Sequence, residues 1–346
     1  MVQIIHHQST HLLPKGFYTR PAQLSDLDMV ASMLNAYSRI LLGVEQFRAK
    51  DMEAEWTLPD FNLEKDTCLV FAPDSSLAGY GEFWDLIAPF VRKVLWARVR
   101  PDFWGNGIGA ALVAWGEGRA CQQVNRAPAE ARVVIQVIVS APDSRAQKLL
   151  PQQGYRHVRS FWRMVKEFEG TPTEPAVPDG MMIRSATNND DERRALTAAY
   201  EAFQDHWGFS PEPLEDYLER WRYFIRHDDE HDPSLWFLAE EEGEVAGVSL
   251  CRAQTSDDPH MGWVSTLGVR RPWRKRGIGL SLLQHSFCEL QRRGSRRVGL
   301  GVDAQNITGA TRLYEKAGMR PDRAWTSLAY EKELRPGVEL SVRPDL

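Results

Sequence analysis

Cysteine is scarce in this chain: four residues in 346, at Cys68, Cys121, Cys251 and Cys288. None stands in a CxxC or other metal-ligand spacing. Neither a metal site nor a disulfide framework is therefore expected, and the thiols read as free groups of a cytoplasmic protein. Charge of one sign is not in excess either. A net charge of −5 gives no overall support to nucleic-acid or membrane binding, so any basic patch has to be local. No apolar run reaches the roughly 18 residues of a membrane-spanning helix. Met1 to Lys15 lack an apolar signal core and read as a loose polar lead-in. Two phosphate-binding signatures are missing as well. There is no Gly-Lys-Ser/Thr, hence no Walker loop, and no Gly-x-Gly completed by the third glycine of a dinucleotide fingerprint.

What is present is an ordinary globular composition, 43% hydrophobic and 26% charged, over a length that suits two domains. It also contains a repeat. Val99-Arg100-Pro101-Asp102-Phe103-Trp104-Gly105-Asn106-Gly107-Ile108-Gly109 returns 170 residues later as Val269-Arg270-Arg271-Pro272-Trp273-Arg274-Lys275-Arg276-Gly277-Ile278-Gly279. Each copy lies between a strand-like run and a helix-like run. A Gly-rich strand-to-helix turn suits phosphate, because amides at a helix N-terminus and the helix dipole both favour an anion. Phe168 to Gly180 holds three prolines and two glycines in thirteen residues and reads as a linker. The order on either side of it is the same: strand, helix, a strand pair, a third strand, the Gly turn, helix, strand, helix, strand. The expected domains are residues 1–168 and 181–346, joined by 169–180.

This order, with Arg274-x-x-Gly277-x-Gly279 and the later block Asn306-x-x-x-Ala310-x-x-x-Tyr314-x-x-x-Gly318-Met319, resembles the GNAT superfamily of acetyl-CoA-dependent N-acetyltransferases over nearly the whole chain. The resemblance implies two tandem α/β domains, each a mostly antiparallel mixed sheet flanked by helices. It implies acetyl-CoA as cosubstrate and no metal. Coenzyme A would lie on Leu267, Gly268 and Val269, on the turn Arg274, Lys275, Arg276, Gly277, Ile278, Gly279 and Leu280, and near Asn306 and Ala310. A backbone N–H near Leu267 would polarise the thioester carbonyl. Tyr314 would protonate the departing thiolate, its phenol being a donor at neutral pH. Asn306 reads equally well as a cap of the Tyr314 helix. The segments around Asp303–Asn306 and Leu313–Gly318 are also similar to those of mycothiol synthases, tandem members of the family.

The two halves differ. In register, Trp104 stands at Arg274, Asn106 at Arg276, Leu150 at Tyr314 and Pro142 at Asn306. The first half therefore reads as a degenerate domain and the second as the catalytic one. The strand before the second turn, Gly262-Trp263-Val264-Ser265, carries no Glu, which leaves the base open. Glu201, Asp205 and His206 are candidates at the end of the first helix of that half; Asp258 and His260 are weaker ones. Asp303 reads as a turn carboxylate. Glu212, Glu215 and Asp216 would suit a cationic amine or a solvated helix face. The expected activity is acetyl transfer to a primary amine of a small molecule by direct attack on the thioester, in the cytoplasm, by a monomer or homodimer. The alternatives are a non-catalytic acyl-CoA sensor and a protein or peptide N-acetyltransferase.

Overall fold

The computed structural model describes residues 13–172, 174–306 and 309–343. The lead-in up to residue 12, Thr173 in the linker, and Ile307 and Thr308 of the second block lie outside the described residues. The chain divides into two compact units: Met1–Ser160 with Ser327–Leu340, and Phe161–Thr326 with Ser341–Leu346. Among the described residues no helix is long and apolar enough to cross a membrane.

In unit 1 the strands are β1 (Tyr18–Arg20), β2 (Thr67–Phe71), β3 (Leu77–Trp84), β4 (Arg92–Val99) and β5 (Val133–Ser140). Neighbours are antiparallel except β4 and β5, which run parallel. The sheet is completed by Ser327–Arg335, antiparallel to β5 from Ser140 to Val133. Helix α1 (Leu27–Leu42) follows β1 as expected. A second helix, α2 (Ala49–Trp56), and a single turn, α3 (Leu63–Asp66), were not anticipated. Helix α4 (Ile108–Gln123) follows the first Gly-rich turn, and α5 (Ser144–Gln152) follows β5. The core forms where α4 lays Ile108, Leu112 and Trp115 against Phe83, Leu95, Ile135 and Val137.

Unit 2 repeats this plan. Its strands are β7 (Met182–Ser185), β8 (Trp236–Glu241), β9 (Glu244–Arg252), β10 (Met261–Val269) and β11 (Arg297–Asp303); its helices are α6 (Asn189–Phe203), α7 (Leu214–His227), α8 (Ile278–Arg292) and α9 (Ala310–Lys316). The sheet is completed by Phe161–Glu167, antiparallel to β11. Strands between helices bury both faces, so side chains alternate between two cores. Along β8, Phe237 and Ala239 join Ile278, Leu282 and Leu300, whereas Trp236 and Leu238 join Leu196, Leu218 and Leu250 under α6 and α7. In each unit an Arg on the first strand holds a carboxylate at the start of the first helix: Arg20 to Asp26 and Arg184 to Asp191, both at 2.6 Å.

The compact units therefore do not meet at the boundaries expected from the linker. The strand before the linker, β6 (Arg156–Glu167), contributes Phe161–Glu167 to unit 2. The final strand, β12 (Arg320–Arg335), contributes Ser327–Arg335 to unit 1. Alternating strands at matching positions of a repeat satisfy either sheet edge equally well, so local pattern cannot choose between them.

Candidate active site

The site builds from a break in the sheet of unit 2. β10 pairs with β9 at Trp263–Arg252 and Val264–Cys251, then resumes one residue out of step at Thr266–Leu250 and continues to Val269–Gly247. Ser265 is the extra residue. Such a bulge bends and twists its strand and ends regular pairing. In parallel with β11, β10 is paired only from Met261 to Val264, although β11 runs on to Asp303. Beyond the bulge the edge of β10 is open on that side. Arg270 N–H donates to the opposite Ala246 carbonyl at 2.9 Å. Antiparallel pairs alternate, so the N–H groups of Leu267 and Val269 turn away from β9, toward the opened edge. The Val269 carbonyl on that same side accepts Arg274 Nε–H at 3.0 Å.

The second Gly-rich turn leads from this strand into α8. Gly277 caps the helix at φ +83°, a left-handed conformation that glycine adopts without a Cβ penalty. A Cβ on Gly279 would stand 3.2 Å from Leu313 Cδ1 and 3.6 Å from Val269 Cγ2, so its absence lets the first turn of α8 sit against α9 and the end of β10. The amides of Ile278 and Gly279, first in the helix, have no intrahelical acceptor and face outward at its positive end.

The cations of the turn serve differently from expectation. Arg274 was expected to face phosphate. Instead its guanidinium binds the Asp205 carboxylate and the Ala202 carbonyl (2.9 Å) at the end of α6. Arg276 forks onto Glu241 (2.9 Å to Oε2), which also accepts Trp273 Nε1–H at 2.8 Å. Only Lys275 of the three is exposed with no ion-pair partner among the described residues, at φ +65°. The long-range partners Asp205 and Glu241 decide this outcome, and no spacing in the turn announces them. A turn with two helix-start amides, one free cation and an open strand edge still fits a ligand that carries a pyrophosphate and an amide-bearing arm. Leu280 and Ala310 pack against the same core from α8 and α9.

Tyr314 lies on α9 within that core, 8% exposed. Its hydroxyl makes no hydrogen bond among the described residues, and burial pushes its pKa up to about 12. Such a phenol stays protonated at any neutral pH. Asn306 does not cap this helix. The N-cap is Gly309 at φ +80°, and Asn306 lies earlier, its N–H donating to the Asp303 carbonyl at 3.0 Å.

Of the base candidates, Glu201 is held by Arg270 Nε at 2.6 Å and Asp205 by Arg274. His206 differs. A Cβ on Gly268 would stand 3.2 Å from Phe203 Cε2, so the end of α6 covers the opened part of β10. The Phe203 ring packs against the imidazole, centroids 4.4 Å apart. His206 Nδ1 lies 3.3 Å from Asp205 Oδ1, yet is not aligned to hydrogen-bond with it. Burial lowers the His206 pKa, against an opposing pull from Asp205 and from Asp303 at the end of β11. Burial therefore disfavours the charged form of this imidazole. Asp258 holds Arg297 (2.6 Å) and the His260 amide (2.8 Å), Glu212 holds Arg220 and Glu215 holds Arg193; all four are structural ion pairs or caps. Asp216 lies in the first turn of α7.

Unit 1 keeps the backbone of its turn and carries different side chains on it. Gly105 and Gly107 have φ +85° and +78°, matching Lys275 and Gly277. Trp104 Nε1–H donates to the Val99 carbonyl at 2.8 Å, where Arg274 binds Val269. Leu149 meets Gly109 as Leu313 meets Gly279, so Leu150, 2% exposed, stands in Tyr314's place. β3 and β4 pair without a register shift from Gly79–Val99 to Trp84–Val94. This strand of unit 1 has no bulge. The bulge of unit 2 was not foreseen, because one extra strand residue leaves no residue-type signal.

These features agree with what the chain is similar to. The acetyltransferase (GNAT) family matches twice, over residues 30–155 and 196–319. A mycothiol acetyltransferase of Thermobispora bispora is 30% identical over 229 residues, 64% of this chain and 70% of that one. The crystal structure of a GCN5-related N-acetyltransferase from Sphaerobacter thermophilus is 35% identical, covers 96% of this chain and all of its own, and superposes with a TM-score of 0.77. A tandem GNAT protein from the clavulanic acid biosynthesis pathway, at 15% identity and a TM-score of 0.68 over 93% of this chain and all of that one, shares the fold. With both units matched and a full-length relative at this identity, the chain belongs to the acetyltransferase (GNAT) family, as a tandem member and an acetyl-CoA-dependent N-acetyltransferase.

Proposed function

We propose that this protein acetylates a primary amine of a small molecule and that unit 2 alone carries out the chemistry. The observation that carries the reading is the asymmetry of the repeat. The bulged strand and the buried phenol occur together in unit 2; in unit 1 the strand β4, which also parts from β5 beyond Leu95, keeps regular register with β3, and Leu150 stands in the phenol's place. The relatives named mycothiol acetyltransferase, after a small thiol, support a small-molecule acceptor over a protein.

Acetyl-CoA supplies an activated acyl group as a thioester. The Leu267 amide, turned toward the opened edge, is placed to donate to an oxygen that gains negative charge during attack. Tyr314 Oη holds the proton that a departing thiolate needs. His206, its charged form disfavoured by burial, can accept a proton from the attacking ammonium or from a water between them. Glu201 and Asp205 act in this reading as positioning groups, tying α6 to the turn through Arg270 and Arg274.

Calorimetric titration with acetyl-CoA is expected to give one tight site per chain. Two equal sites would overturn the assignment to unit 2. The pH profile of kcat/KM tests the base. Protonated His206 cannot accept a proton, so activity should rise with pH through a midpoint below about 6.5, the ordinary value for imidazole, and stay level above it. In His206→Gln that limb should vanish. Its persistence at the same midpoint would remove His206 from the mechanism.

A further inference from the structure

The segment that reads as a linker lies along α8, within unit 2. Phe168 anchors one end. Its N–H donates to the Arg296 carbonyl at 2.9 Å, and its ring packs on Phe287 with centroids 6.0 Å apart. Met181 anchors the other end, packed against the same core. Between the anchors, Gln291 Nε2 donates to the Gly170 carbonyl at 3.0 Å, Arg292 pairs with Glu174, and the Ser281 hydroxyl donates to the Ala176 carbonyl at 2.7 Å. A Cβ on Gly277 would stand 4.0 Å from Pro178 Cγ. In a helix of about 3.6 residues per turn, positions 277, 281, 291 and 292 fall within about 100° of one another, so one face of α8 makes all these contacts.

The sequence of the segment suits a strap. Pro172, Pro175 and Pro178 recur every third residue, the period of a polyproline II chain. These three are half-buried, while Thr171, Glu174, Ala176, Val177 and Asp179 are exposed. The proline edge therefore turns toward the protein. From Gly170 to Ala176 such a chain reaches about 19 Å, and α8 from Ser281 to Gln291 rises about 15 Å, which leaves little slack. The far end of the strap meets the Gly-rich turn. There it bends through Gly180 at φ +76°, as the Pro178 carbonyl accepts Met181 N–H at 3.0 Å. A Cβ on Gly180 would stand 3.8 Å from Glu241 Oε1, on the carboxylate that holds Arg276. Ser281 joins strap and turn. Its N–H closes the first turn of α8 on the Gly277 carbonyl at 3.1 Å, and its hydroxyl holds Ala176. The fold does not demand that hydroxyl: Ser281 is 3% exposed, and its counterpart in α4 of unit 1, Ala111, is buried to the same degree. The Glu174–Arg292 pair is exposed and contributes little.

We propose that this strap positions the turn of unit 2 that receives acetyl-CoA, with Ser281 as the positioning residue that couples the two. The proposal rests on the assignment of coenzyme A to that turn. With the strap docked, Gly277 and the Ile278 and Gly279 amides are held in the geometry that receives a pyrophosphate. Release of the strap frees the first turn of α8 to fray. Such coupling is reciprocal, so bound acetyl-CoA also holds the strap down.

Two measurements on the full chain test this: calorimetric titration with acetyl-CoA, and proteinase K cleavage within residues 168–181 followed by fragment mass. Acetyl-CoA should slow that cleavage in the wild type. Ser281→Ala, which copies the repeat and should fold, is expected to speed cleavage and to raise the acetyl-CoA Kd about three- to tenfold, the share of one net hydrogen bond. Pro175→Gly changes no residue of the turn or of α8 and loosens the strap through chain entropy; it should move both readouts the same way. In each variant kcat at saturating acetyl-CoA should stay within about twofold, because the reacting groups are untouched. An unchanged Kd in both folded variants, or cleavage indifferent to acetyl-CoA, would overturn the proposal. Gly277→Val tells its failure from failure of the site assignment. If that substitution also leaves Kd unchanged, coenzyme A does not bind at this turn and the proposal falls with the assignment; if it alone weakens binding, only the strap is wrong.

Discussion

Replacing Tyr314 by phenylalanine is expected to lower kcat by on the order of 10²-fold or more, with little change in acetyl-CoA affinity or in the folded state. The stability half of this expectation follows from packing. The Tyr314 ring is buried, but its hydroxyl has no hydrogen-bond partner among the described residues, so its removal leaves no unpaired group behind. Unit 1 carries Leu150 at the same place, 2% exposed, so an apolar side chain fits this helix and core. The catalytic half follows from proton inventory. A thiolate leaving the thioester needs a proton, and a phenol raised to about 12 holds its proton through the neutral range. Steady-state kinetics together with thermal unfolding separate the two effects. A loss under about threefold in kcat would mean that another group or water supplies the proton.

The second large effect is a contrast between two matched substitutions. Gly277→Val places a β-branched residue at φ +83°, and Gly107→Val does the same at φ +78°. Each strained residue costs about 1–3 kcal/mol, and both variants should lose comparable stability in a urea titration. Acetyl-CoA affinity should respond only to the first. The α8 N-terminus relaxes to relieve the strain, which misdirects the Ile278 and Gly279 amides. A loss of about 2 kcal/mol there would weaken binding roughly 30-fold. Gly107→Val should leave the Kd within about twofold, since the first turn carries neither the free lysine nor a bulged strand beside it. Equal losses in both variants would place coenzyme A in both units.

The repeat was legible because it is local. The Gly-rich turn, the helical periodicity after it and the aromatic on the last helix all lie within short windows, and short windows encode dihedral preference and amphipathicity. The difference between the halves was legible for the same reason: Leu150 against Tyr314 and Trp104 against Arg274 are residue types in register. The functions of individual cations were not legible. Arg274 and Arg276 read as phosphate ligands, yet the fold spends them on Asp205, 69 residues away, and Glu241, 35 residues away. Glu201 read as a possible base and proves to be Arg270's partner.

By itself, then, the sequence determined the tandem α/β plan, the family resemblance and the position of the buried phenol, because these depend on periodicity and on residue identity at fixed spacing. Only the tertiary structure decided where the chain divides, which strand completes which sheet, where β10 bulges, which carboxylate neutralises which arginine, and that the linker lies along α8. Each of those outcomes is a choice among chemically equivalent partners far apart along the chain. Such a choice is settled by packing and desolvation, which no local pattern records.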